Sequence, residues 1–115
     1  MNDFFPGIEE NGELKEIASL KFDDDILLSA IHSFRKTGQL LKAIEEMAEL
    51  TVELAKVVNS GDISLNFEEL KEETADVEIM LRQIRLMLFR DERLQMAIDE
   101  KTKRLSDRIA KRRNV

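Results

Sequence analysis

Residues 68–81 read "EELKEETADVEIML", and the way this stretch sits on a helix decides the fold. Its apolar positions extend into a stripe, Leu70, Val77, Leu81, Ile84 and Leu88, at the three- and four-residue spacing of one helical face. Glu73 falls inside that stripe, between Leu70 and Val77, with Met80 on the same side. Asp76 lies about 60° further round, beside Met80, Gln83 and Met87. A carboxylate on a core-facing position costs several kcal/mol unless it is paired, protonated or bound to a metal. A second strip, Ala75, Ile79 and Leu86, runs opposite the first. A helix apolar on two sides in so small a domain predicts burial against another subunit.

The flanking sequence extends this helix from about Phe67 to Arg90, with Ser64 or Asn66 available as its cap. Upstream, "DDD" at 23–25 offers caps for a helix starting near Ile26, with Leu27, Ile31 and Phe34 on one face and "KTG" at 36–38 as its end. A further helix runs from about Gln39 to Val58 and is closed by "NSGD" at 59–62. Its apolar face is Leu40, Ile44, Met47, Leu54 and Val58, flanked by Ala43, Leu50 and Val57. The last helix covers roughly 92–112. Residues 1–22 hold the one Pro and two of the four Gly, and read as an irregular arm with room for a short helix at 13–20. The expected architecture is all-α, a four-helix bundle-like domain over 23–115 behind that arm.

Composition supports helices and narrows the function. Charged residues make up 37% of the 115 and aromatics 5%, a balance that suits helices rather than a sandwich or barrel. A net charge of −6 argues against nucleic acid or an anionic membrane as the main partner, even with the basic run "KRLSDRIAKRR" at 103–113. The absence of Cys removes disulfides, thiolate catalysis and Cys-ligated zinc. No apolar run approaches the ~18–20 residues of a membrane span, and "MNDFFPGIEENGE" lacks a basic leader, so a cytoplasmic location is expected.

Two carboxylate pairs at i, i+3 spacing stand out, Glu46/Glu49 on the second helix and Glu73/Asp76 on the third. Glu46 falls at the edge of the apolar flank and Glu49 further round, both within reach of a neighbouring helix while partly wet. Residues three apart on a helix face have Cβ atoms about 5–6 Å apart, so each pair can approach one ion. Four hard oxygen donors suit Mg²⁺ or Mn²⁺ rather than zinc, and a di-iron bundle lacks its Glu-x-x-His motifs because His32 is the sole His. The competing reading is plain solvated charge, which serves for Glu45, Glu68, Glu69 and Glu72 in a chain with 24 acidic residues. On the last helix Lys101 occupies the slot between Ile98 and Leu105, with Arg104 and Arg108 beside it. It is either a snorkelling stem or a cation aimed at phosphate.

The order ExxE, 23 residues, ExxD, on "EMAE" 46–49 and "ETAD" 73–76, resembles the signature of the MazG-type all-α nucleoside triphosphate pyrophosphohydrolases. "LLKAIEEMAEL" at 40–50, "EELKEETADVEIML" at 68–81 and "DEKTKRL" at 99–105 extend the likeness over residues 27–108. The resemblance implies a homodimer or homotetramer, a dimer of dimers, that hydrolyses (d)NTPs to monophosphate and pyrophosphate with Mg²⁺, Mn²⁺ substituting. It carries Glu46, Glu49, Glu73 and Asp76 over as metal ligands, and Lys101 and Arg104 as phosphate contacts. Glu46 or Glu49 is the expected orienter of the attacking water. No P-loop is present, and the chain has neither Trp nor Tyr for a base pocket, which leaves Phe34 as the substitute or as ordinary core. The alternative function is a non-catalytic helical module that binds nucleotide or a protein.

Overall fold

The computed structural model describes residues 16–114. Their regular structure is entirely helical: α1 (Asp24–Phe34), α2 (Lys36–Ser60), a 3-10 turn (Ile63–Asn66), α3 (Phe67–Leu88) and α4 (Arg93–Arg113). The chain divides into two compact units, Met1–Gln83 and Ile84–Val115. Residues 16–23 carry no regular structure, so the short helix expected over 13–20 does not form at 16–20. Residues 13–15 lie outside the described residues.

Local chemistry sets most element ends. Asp23 caps α1 by accepting from the Ile26 N–H at 3.2 Å, and Asp24 and Asp25 place negative charge in the first turn. The end of α1 differs from the expectation. Arg35, at φ 69° and ψ 158°, breaks the helix, and "KTG" lies inside the first turns of α2 instead. Gly38 does not stop the chain there, because it keeps helical backbone angles instead of the left-handed conformation that Gly61 takes. At the far end Gly61 takes the left-handed conformation, φ 69°, and its N–H reaches the Val57 carbonyl at 2.9 Å. Asp62 caps the 3-10 turn, one of its oxygens accepting from the Ser64 N–H at 3.0 Å and the Ser64 hydroxyl at 2.6 Å. α3 follows that turn directly, and Asn66 Oδ1, one acceptor expected to cap it, has no partner. Asn66 is buried and turns back towards α2.

Within the first unit α2 and α3 run antiparallel, joined near one end by a 2.6 Å hydrogen bond from Gln39 Nε2 to Gln83 Oε1. At the other end Asn66 Nδ2 donates to the Glu53 carbonyl at 3.0 Å and to Glu53 Oε2 at 2.8 Å. Arg82 on α3 ties down α1 through two bonds to Asp24, at 2.9 and 2.6 Å, and its guanidinium lies 5.7 Å from the Phe22 ring centroid. These pairings rotate α2 away from its expected face. The buried side is Gln39, Ala43, Glu46 and Glu53, while Leu40, Ile44, Met47, Leu54 and Val58 are exposed, Val58 by 80%. Ala43, 1% exposed, permits close approach, and specific polar partners fix the rotation in place of the most apolar stripe.

The face of α3 shifts in the same sense. Val77, Met80 and Gln83 are buried and Leu70, Glu73 and Ile84 half-buried, whereas Leu81 and Leu88 are exposed. Ala75 and Ile79 line a groove of about 580 Å³ together with Leu20, Phe22, Phe67 and Leu70 of the same chain. Phe34 is exposed, which removes the core role left open for it. In the second unit α4 has no buried side chain.

Candidate metal centre

The antiparallel register of α2 and α3 brings the two carboxylate pairs into one place. Glu46, Glu49 and Glu73 each offer an oxygen, and the three oxygens lie within 4.8 Å of one another. Asp76 faces Glu46 across the interface. Helical geometry makes this possible: the i, i+3 spacing points both members of each pair to the same side, and opposite chain directions set Glu46 against Asp76 and Glu49 against Glu73.

Exposure within the group is uneven. Glu46, expected to be partly wet, is the most enclosed at 7% exposed, Glu73 is half-buried, and Glu49 and Asp76 reach water. Glu46 Oε1 meets the Lys42 ammonium at 3.0 Å. Glu46 Oε2 and Glu73 Oε2 are buried without a hydrogen-bond partner. Crowding of like charge raises the proton affinity of two of these groups. The Glu46 charge, then burial and then Glu73 hold the Glu49 carboxyl above the usual range. Burial, followed by the Glu46 charge, raises Asp76 in the same direction.

A buried carboxylate oxygen with no donor is costly to keep, and a cation is the natural way to satisfy two of them at once. Glu46, Glu49 and Glu73 form a group that could hold a metal ion, and Asp76 borders it. A donor set made wholly of carboxylate oxygens fits a hard divalent ion. His32 is exposed on α1 and is not in the group, so no imidazole softens the set.

The other expected site residues lie in the second unit. Lys101 and Arg104 are exposed on α4, and Arg104 pairs with Glu100 one turn away at 3.0 Å. Sequence reasoning missed four residues of the α2–α3 face: Gln39, Glu53, Asn66 and Gln83. A signal was present, because Gln39, Glu46 and Glu53 recur every seven residues, a polar repeat in register with Ala43 and Leu50. Read as a helical seam it marks a face with a polar partner.

Comparison of the chain with family models, with curated proteins and with solved structures finds no match.

Proposed function

We propose that the chain is a Mg²⁺-dependent nucleoside triphosphate pyrophosphohydrolase of the MazG-like kind, cleaving (d)NTPs to monophosphate and pyrophosphate in nucleotide-pool housekeeping. One observation carries the reading: two i, i+3 carboxylate pairs converge across α2 and α3 with two buried oxygens that have no donor. Glu46, Glu49, Glu73 and Asp76 would hold the ion. When bound, a divalent ion neutralises phosphate oxygens and makes the α-phosphorus more open to attack.

The side chains divide the remaining work by exposure. Glu49 is the exposed member facing both Glu46 and Glu73, and its raised proton affinity suits a group that orients a water and draws its proton. That water adds to the α-phosphorus as the α–β bridging oxygen leaves with pyrophosphate. Glu46 and Glu73, more enclosed, hold position rather than move protons.

A homo-oligomer belongs to the same reading. The α2 stripe of Leu40, Ile44, Met47, Leu54 and Val58 is open in a single chain, and so are Ile98, Leu105 and Ile109 on α4. Apolar seams of this length on a 115-residue chain suit a second copy. The same open seams favour the second reading, a non-catalytic module that binds a protein or nucleotide. Incubating the chain with each NTP and dNTP plus Mg²⁺ separates the two. Release of pyrophosphate from any of them supports the enzyme, and release from none, or of orthophosphate alone, rejects it.

A further inference from the structure

The carboxylate group contains a cation of its own that the reading above does not use. Lys42 lies one turn before Glu46, with its Nζ 3.0 Å from Glu46 Oε1 and 3.7 Å from Glu45 Oε1. Its side chain is half in water, 48% exposed, whereas that of Glu46 is 9% exposed. Among the described residues no other lysine or arginine is ion-paired with any of the four carboxylates. Glu46 therefore has one oxygen taken by an ammonium and one left without a partner.

Charge balance shows what such a cation does in the proposed reaction. Four carboxylates outweigh one divalent ion, so a triphosphate arriving at the loaded site still meets net negative charge. A basic side chain beside the ion lowers that repulsion and adds donors for a phosphate oxygen. Lys42 is placed for it, because its stem is flexible, its head is in water, and its three donors fit phosphate oxygens as well as a carboxylate. A divalent ion on Glu46 also weakens the hold of that carboxylate on the ammonium, since the two cations compete for the same electron density and repel each other.

We propose that Lys42 is a substrate-positioning residue that exchanges Glu46 for a phosphate oxygen of the nucleotide once a divalent ion occupies the carboxylates. Lys42 is thus a placeholder in the metal-free site and a phosphate contact in the loaded one. The inference rests on the metal-dependent reading above.

The full chain tests this with two variants, Lys42→Met, which keeps the stem and removes the charge, and Lys42→Arg, which keeps both. The probes are Mn²⁺ alone and inorganic tripolyphosphate in the presence of Mg²⁺, both followed by calorimetry. Lys42→Met should bind Mn²⁺ several-fold more tightly, because a competing cation is gone, and tripolyphosphate about tenfold more weakly or worse. Lys42→Arg should recover most of the tripolyphosphate affinity. With a nucleotide substrate the Met variant should raise KM while leaving kcat nearly unchanged. Tripolyphosphate affinity within about twofold of wild type in the Met variant would overturn the exchange and leave Lys42 a local counter-ion. A wild-type chain that binds no Mn²⁺ overturns the metal reading itself, and this inference with it.

Discussion

Glu46 and Glu53 sit two turns apart on the same face of α2, nearly equally enclosed at 7% and 8% exposed, and their surroundings are opposite. Both oxygens of Glu53 are used, Oε2 by Asn66 at 2.8 Å and Oε1 by Lys56 at 2.9 Å. Those bonds, Asn66 first and Lys56 second, hold its carboxyl below the usual range. Glu46 has Lys42 on one oxygen, nothing on the other, and three further carboxylates around it. Glu53 has both carboxylate oxygens partnered, whereas Glu46 keeps one buried oxygen that no donor reaches. Burial alone therefore does not set Glu46 apart from Glu53; the missing donor does.

The contrast predicts that substitutions on the two sides fail in different currencies. Glu73→Ala should reduce hydrolysis by about a hundredfold or more, since it removes a proposed ligand from the carboxylate group, while the metal-free chain melts no lower than wild type. Pyrophosphate release and a thermal melt in chelator check the two halves separately. Asn66→Ala should do the reverse. Leaving two Glu53 oxygens without their donor costs about 1–3 kcal/mol, roughly 5–15 °C in a domain of this size, and bound Mg²⁺ should not repair it.

Acidity separates the two regions more gently. Glu49 and Asp76 have raised values in the folded chain, so their ionisation costs stability, in full above those values. Stability should return as pH falls through them, and the metal-free chain should melt higher near about pH 5 than at about pH 7. Glu53 has a lowered value and works the other way. Its contribution is complete above the ordinary carboxylate range and is lost as pH falls through the depressed value, which adds to unfolding below about pH 4. Glu49→Gln should flatten the rise, and Glu53→Gln should remove part of the acid fall. The smallest effect is expected at Gln39 and Gln83. Replacing both by Leu removes a matched hydrogen-bonded pair and should change the melting temperature by no more than a few degrees.

How much of this was legible in the sequence follows from how local each feature is. The Asp23 cap, the Gly61 stop and the helical character of 67–88 depend on neighbours within a few residues, and sequence reasoning found them. The pairing of Glu46/Glu49 with Glu73/Asp76 was also readable, because fixed i, i+3 spacing on two helices needs only an antiparallel register to converge. The rotation of α2 was not. It depends on Gln39 meeting Gln83 across 44 positions and on Asn66 reaching Glu53 across 13, and neither partner announces itself in a hydrophobicity pattern. The α1 stop was missed for a related reason. Arg35 adopts a backbone conformation that its residue type disfavours, whereas Gly38, which has the freedom to do so, sits unremarked inside a helix.

In the proposed site the four carboxylates of α2 and α3 share one divalent cation, and the equally enclosed Glu53 takes no part. A Mn²⁺ titration at neutral pH, read by the loss of the free-ion electron paramagnetic signal, tests it on four proteins: wild type, Glu46→Gln, Glu73→Gln and Glu53→Gln. Wild type and Glu53→Gln should bind alike, and Glu46→Gln and Glu73→Gln should lose about tenfold or more in affinity. Binding absent from the wild type, or equally weakened by all three substitutions, would contradict the account and leave the group as crowded surface charge.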